Sequence, residues 1–346
     1  MKGGETAVDG THDPGVEAAR DRAATLSPIA SHAVAAQHER DGAGALVYVG
    51  TAGWTDRTLT APGVFYPPKT GSPEARLRYY ASRFSMVEVD ATYYALQPPE
   101  TADRWVERTP PDFRFCVKAH ALLTGHPSEP RRLPTDLQSA LPTALVNKSR
   151  VYADDLPEEI LTEVRRRFVQ MVTPLAEAGR LGAVVFQMPP WVGPSRANAR
   201  VVAALRDGFG DLPVAVEFRN RLWMADALRD RTVALLTRHA LAYVMVDAPP
   251  GLESSMPPEV VVTSPAVAMV RLHGRRVETW ERPGVSVAER YRYLYDRTQL
   301  REWIPRVSAA ARESKYVHVV FNNCYGNYGT TNALEFVDLL HAAAAD

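Results

Sequence analysis

The chain has 346 residues, of which 46% are hydrophobic, and its forty acidic and forty basic residues cancel. That length suits one large domain with an extension, and the charge balance argues against a nucleic-acid partner, which would normally require a basic face. No apolar run approaches the roughly 18 residues that span a bilayer, the N-terminus carries no charged-then-apolar leader, and the two cysteines, Cys116 and Cys324, form no disulfide framework or metal knuckle, so the expected setting is a reducing cytoplasm.

Residues 1–44 are rich in Ala, Gly, Asp, His and Glu and hold no Phe, Trp or Tyr. Such a segment buries too little surface to offset its ordering entropy, and a disordered extension is predicted, with transient helix over Ala18–Ala24 or Ile29–Arg40. His12, His32 and His38 lie in it at spacings that match no metal site. The folded domain is predicted over 45–346.

Eight β-branched and aliphatic runs follow: Leu46–Gly50, Met86–Asp90, Phe113–Lys118, Ala183–Gln187, Val214–Arg219, Ala242–Asp247, Val267–His273 and Val317–Asn323. Helix-like stretches separate most of them. This alternation predicts an α/β fold, a closed (β/α)8 TIM barrel in a single domain. Between the third and fourth runs, the Pro-rich stretch His126–Pro142 reads as an excursion over the rim. A helix then shows its stripe at Ile160, Val164, Phe168, Met171, Val172 and Leu175. Two more excursions, Ala248–Pro258 and Arg275–Ser286, follow the sixth and seventh runs.

In such a barrel the active site sits at the C-terminal strand ends. Those ends carry Trp54, Glu88, Asp90, Lys118, His120, Gln187, Glu217, Arg219, Asp247, Arg271, His273, Asn322 and Asn323. Residues two apart on a strand share a face. Glu88 therefore pairs with Asp90, Lys118 with His120, Glu217 with Arg219, and Arg271 with His273, above the interior candidates Met86, Cys116, Ala215 and Met269. A strand-end residue turning into solvent explains any one pair; four coincident pairs point to a shared site.

Carboxylates from several strands in a partly dry mouth can divide into an acid and a base. Glu217 and Asp247 are the general acid/base candidates, with Glu88 beside them. The same groups with His120 or His273 could hold a divalent metal, but Lys118, Arg219 and Arg271 disfavour a bare metal cage and instead suit a substrate phosphate or carboxylate. An internal ion-pair network would use the same residues. Asn322 and Asn323 would orient hydroxyls, Gln187 and Asp90 contact ligand, and Trp54 and Tyr93 stack. Tyr94 and Trp191 also follow strands, whereas Trp223 reads as packing. Gly50–Trp54 is neither a P-loop nor a dinucleotide fingerprint, and Gly53 is expected to turn the chain and present Trp54. Cys116 reads as core.

The ordered motifs resemble a known family. They are Gly50–Trp54, Phe65–Pro67, Val87–Tyr94, Trp105, the series Phe113, Phe115, Val117 and Lys118, then Gln187–Pro190, Glu217–Arg219, Arg271–Gly274 and Phe321–Asn323. Together they are similar to the domain of unknown function 72, or YecE-like, family, from about residue 46 to the C-terminus. The resemblance implies a TIM barrel, no established activity, and a distant relation to sugar isomerases. Asp90, Ala91 and Ala95 stand where the family usually has Asn, Ser and Arg, which removes a positive charge from that corner and adds a negative one.

Three functions remain open at this point. The first is an enzyme, a hydrolase or isomerase acting on a small polar, sugar-like or anionic substrate. The second is a non-catalytic module binding a small ligand at the same rim, favoured if arginines tie up both Glu217 and Asp247. The third is a metal-dependent phosphodiesterase or endonuclease, which the neutral charge disfavours.

Overall fold

The computed structural model describes residues 13–28, 34–37 and 44–345. Its strands are β1 (Val34–Gln37), β2 (Gly44–Ala52), β3 (Met86–Val89), β4 (Arg114–Lys118), β5 (Leu181–Gln187), β6 (Val214–Glu217), β7 (Leu241–Asp247), β8 (Val267–Leu272) and β9 (Tyr316–Phe321). Strands β2 to β9 pair in parallel in sequence order, and β9 returns to β2, from Leu46 opposite Tyr316 to Thr51 opposite Phe321. This closes the (β/α)8 barrel. Strand β1 adds antiparallel to β2, where transient helix is predicted. Several ladders stop one or two residues before the predicted ends: β3 ends before Asp90, β6 before Arg219, and β9 before Asn322. The polar residues thus sit where the backbone leaves the sheet.

Helices return the chain between strands. The Pro73–Ala81 helix starts on Ser72, whose side chain accepts from the Ala75 N–H at 3.0 Å, with Pro at the first turn. In the Glu158–Glu177 helix the buried stripe is the predicted one, Ile160 to Leu175. The Pro-rich excursion is folded rather than loose. Its leucines 133, 137, 141 and 145 pack with Val151, Leu156, Ile160 and Val164 into a satellite core. None of the described helices is long and apolar enough to cross a membrane.

The N-terminal segment departs from expectation. Residues Pro14–Ala24 form a helix capped by Asp13, and Val16 and Ala19 are buried in it. Arg22 donates to both oxygens of buried Glu335 at 2.8 and 2.6 Å, on the final helix Tyr328–Ala345. Arg292 and the Tyr325 hydroxyl donate to Asp13 at 2.7 and 2.8 Å. The segment lacks aromatics of its own, but Tyr325 and Tyr328 supply them from the other end of the chain. Within the predicted extension, Pro14–Ala24 is thus a docked helix. His12, His32 and His38 lie outside the residues whose side chains are described.

Deleting residues 1–28 should accordingly destabilise the domain. Burial of Val16 is worth about 1.5–3 kcal/mol, and stripping Arg22 from the buried Glu335 adds a comparable cost. Thermal melts of the full and shortened chains should differ by several degrees; identical melting would mean that the helix is only laid on the surface.

Candidate active site at the barrel mouth

In a parallel ladder, residues at paired positions face the same way. Glu88 pairs with Ala52 and Cys116, Gln187 with Glu217, and Arg271 with Val246 and Val320. These positions face the barrel interior, and the polar ones form its top layer. Below them, Cys116 and Met269 are fully buried, as expected of the core.

Arg271 is the hub. Its side chain is 1% exposed. One terminal nitrogen donates to Glu217 and, at 3.2 Å, to Gln187; the other donates to Glu88 at 2.6 Å and Asn322 at 3.5 Å. Arg219 also donates to Glu217 through Nε, and its Nη2 reaches the Tyr291 hydroxyl at 3.4 Å. The Arg219 guanidinium lies over the Trp280 ring at 5.0 Å. His273 completes the cluster. Its Nε2 is 3.1 Å from Glu217 Oε1, and its Nδ1 is 2.8 Å from Asn322 Nδ2. Arg219 Nη2 also lies 3.3 Å from Nε2, so the ring sits between a donor and a carboxylate. Burial and Arg219 hold the ring neutral, pushing its pKa down to about 3.

The two inner carboxylates are unlike. Burial favours protonation of both. At Glu217 the guanidiniums of Arg219 and Arg271 overcome it, and its pKa falls well below the usual range. Glu88 shares Arg271 with Glu217, burial wins, and its pKa rises. Glu88 Oε2 is buried without a hydrogen-bond partner. Lys118 stands one layer above on the neighbouring strand. Its Nζ lies 4.8 Å from the Tyr93 ring centre, and no carboxylate of the described residues comes within 4.0 Å of it. Burial, then Arg271, push its pKa down, and Glu88 opposes them.

Asp247 does not join this cluster. It pairs with Leu272, one residue off the inward parity of Val246 and Arg271, and so faces the helix layer. Arg275 donates to it from Nη2 at 2.7 Å, the Tyr295 hydroxyl at 2.9 Å and Trp303 Nε1 at 2.6 Å. That saturated carboxylate is a structural tie, which corrects its assignment as a general acid/base. A cavity of about 720 Å³ adjoins it outside the barrel.

His120 is buried but caps the following turn, accepting from the Leu122 N–H at 3.4 Å. Asn323 is also fully buried, donating to Tyr293 O and Asn332 Oδ1 at 2.9 Å each. His120 Nε2 and Asn323 Oδ1 are buried without hydrogen-bond partners, while the remaining polar atoms of both side chains are used within the fold. Asp90 is exposed at the rim beside Gly53, which turns the chain at φ 85° as expected. Trp54 is half-buried, edge-on to Trp105 at 5.9 Å. Trp223 stacks on Phe218 at 4.4 Å and is packing. Beside Lys118, a cavity of about 290 Å³ is lined by Tyr93, Tyr94, His126, Arg132, Arg150 and Trp191. Trp280 and Tyr291 were not legible in advance, because they come from the excursion after β8 rather than from a strand end. Among the described residues, no three His, Cys, Asp or Glu side chains are grouped as a metal site.

Comparison with known proteins agrees with this fold. The chain is 30% identical over 298 residues to the UPF0759 protein YunF of Bacillus subtilis (strain 168), covering 85% of this chain and 95% of that one. It is 28% identical over 210 residues to the UPF0759 protein YecE of Escherichia coli O157:H7, covering 59% and 60%. Crystal structures of DUF72 family proteins from Enterococcus faecalis V583 and Thermotoga maritima MSB8 superpose with TM-scores of 0.67 and 0.66. Their identities are 26% and 30%, and the matches cover 86% and 85% of this chain and 96% and 99% of those. The model for the protein of unknown function DUF72 matches residues 48–346, and the chain belongs to that family.

Proposed function

We propose that the barrel mouth is the active site of an enzyme acting on a small polar, sugar-like or anionic compound, of hydrolase or isomerase type. The observation that carries this reading is the contrast between Glu88 with Lys118 and everything around them. Arg219 and Arg271 each hold a carboxylate, and Glu217, His273 and Asn322 are bonded within the cluster, with Arg271 Nε left over. Glu88 keeps an unpartnered oxygen, and Lys118 keeps an amine without a carboxylate partner. A carboxyl that burial makes readier to hold a proton, beside an amine that burial and Arg271 make readier to release one, is the kind of acid/base equipment that proton-transfer chemistry uses. Acid/base work therefore moves from Glu217 and Asp247 to Glu88 and Lys118. Glu217 becomes the anchor that orients Arg219, Arg271 and His273 toward hydroxyl or carboxylate groups. Tyr93, Tyr94 and Trp191 supply faces for a sugar ring.

A non-catalytic ligand site is the second reading, and it is favoured by arginines holding both Glu217 and Asp247. Two measurements separate them. A panel of free sugars, sugar phosphates and small hydroxy and oxo acids should include a class that raises the melting temperature by binding the folded state. Turnover of that class should then fall at least about a hundredfold in Glu88→Gln, the scale of a lost general acid, with the thermal shift retained. A shift with no turnover in wild type selects the binding module; no shift from any class ends both readings.

A further inference from the structure

We propose that Lys118 is a nucleophile that captures the carbonyl group of a small polar aldehyde, ketone or 2-oxo acid as a Schiff base. This rests on the mouth being the ligand site and adds the chemistry performed there. Lys118 is the last residue of β4, at the C-terminal end of a barrel strand and facing the mouth. Its Nζ lies 4.8 Å from the Tyr93 ring centre, a contact that holds the amine in place but favours its charged form, whereas the dry setting and the neighbouring Arg271 favour the neutral nucleophile.

Composition sharpens the argument. The chain contains thirty-five arginines and five lysines. The two cations of the neighbouring cluster, Arg219 and Arg271, are arginines and each holds a carboxylate. Where this protein needs a permanent positive charge it uses arginine, whose guanidinium does not deprotonate. An amine that must shed its proton has to be lysine. The other described lysines, Lys69, Lys148 and Lys315, are exposed. Lys118 is thus the described lysine held in a partly dry site beside a second cation, the setting that keeps an amine nucleophilic.

The step balances with groups already present. The Nζ lone pair attacks the carbonyl carbon, and the C=O π pair moves to oxygen. A proton passes from nitrogen to that oxygen, giving a carbinolamine. The Glu88 carboxyl protonates the hydroxyl, water leaves with the C–O bonding pair, and the nitrogen lone pair closes the C=N bond. The products are a protonated imine on Lys118, one water and the Glu88 carboxylate, which Arg271 already contacts. Arg219, Tyr291 and Asn322 then face the substrate's hydroxyl or carboxylate groups.

Reductive trapping tests this on the full chain. The protein is incubated with glyceraldehyde or pyruvate and sodium cyanoborohydride, and the products are read by intact mass and peptide mapping. One adduct per chain on the peptide containing Lys118 is expected, formed at least tenfold faster than on Lys69, Lys148 or Lys315. Lys118→Arg, which keeps the charge, should lose that adduct while retaining the wild-type circular dichroism and melting temperature. Should that variant not fold, the wild-type ratio between Lys118 and the exposed lysines still decides. Labelling of Lys118 at or below the exposed lysines overturns the proposal. If carbonyl compounds nevertheless raise the melting temperature, the ligand site stands and only the nucleophile fails; if they do neither, the nucleophile fails and the ligand site is decided by the wider panel.

Discussion

Replacing Arg271 with Ala should destabilise the fold by about 3–5 kcal/mol, the usual cost of breaking a buried ion pair from one side. The guanidinium lies between Glu217 and Glu88, both fully buried, and also holds Gln187. Without it Glu217 keeps Arg219 and His273, whereas Glu88 loses its one hydrogen-bonded cation. Urea titration should show a lower midpoint with the slope m unchanged. Arg271→Lys should fall between, because a single ammonium cannot reach two carboxylates as a planar fork does. Adding Glu88→Gln to Arg271→Ala should return part of the loss, since the buried carboxyl left without its guanidinium is gone, and the cycle should give a coupling of about 1–3 kcal/mol. A loss within about 1 kcal/mol for Arg271→Ala would show that Arg219 and His273 hold Glu217 unaided, and that the hub assigned here is not one.

The barrel was legible because eight buried strands leave a repeating apolar signal, and period-two alternation marked which residues face its axis. That logic correctly brought Glu88, Lys118, Glu217, Arg219, Arg271 and His273 together. Asp247 shows how it was misapplied. Val246, not Asp247, shares the face of Arg271, and alternation along Ala242, Val244 and Val246 contains that information. His120 and Asn323 failed for another reason. Both lie beyond the last ladder residue, as Arg219 and His273 do, but local partners turn them aside: the Leu122 N–H bonds His120, and Tyr293 O and Asn332 hold Asn323. Partners such as Trp280, Tyr291, Tyr295 and Trp303 are remote in sequence, and no local pattern links them to Glu217 or Asp247. The docked Pro14–Ala24 helix was missed likewise: its apolar complement is encoded some three hundred residues away.

Acid should unfold this protein early. His120, His273 and His318 are fully buried, and burial pushes their pKa values down to about 4, 3 and 3. His318, in the barrel interior, stacks on Tyr48 at 5.5 Å, and neither ring nitrogen has a hydrogen-bond partner. Nearby Arg114 further disfavours its cationic form. In the unfolded chain all three titrate near 6.5. As the pH falls below that value the unfolded state binds protons that the folded state refuses, so stability is lost as pH falls, by about 1.4 kcal/mol per pH unit per histidine. Three together cost about 4 kcal/mol per unit, and by pH 5 the accumulated loss of about 6 kcal/mol is comparable to the whole stability of a typical domain. Glu88 and Asp90 act in the opposite sense, since desolvation raises their pKa values and lets the folded state take up a proton first, but His126, pushed down to about 4, adds to the three buried histidines. Unfolding free energies from urea titrations at pH 7, 6 and 5 should therefore fall steeply. In His318→Gln the slope should be shallower by about one proton, or about 1.4 kcal/mol per pH unit. A flat profile between pH 7 and 5 would mean that these histidines gain protons without unfolding, and that the interior around Tyr48 and Cys116 admits water.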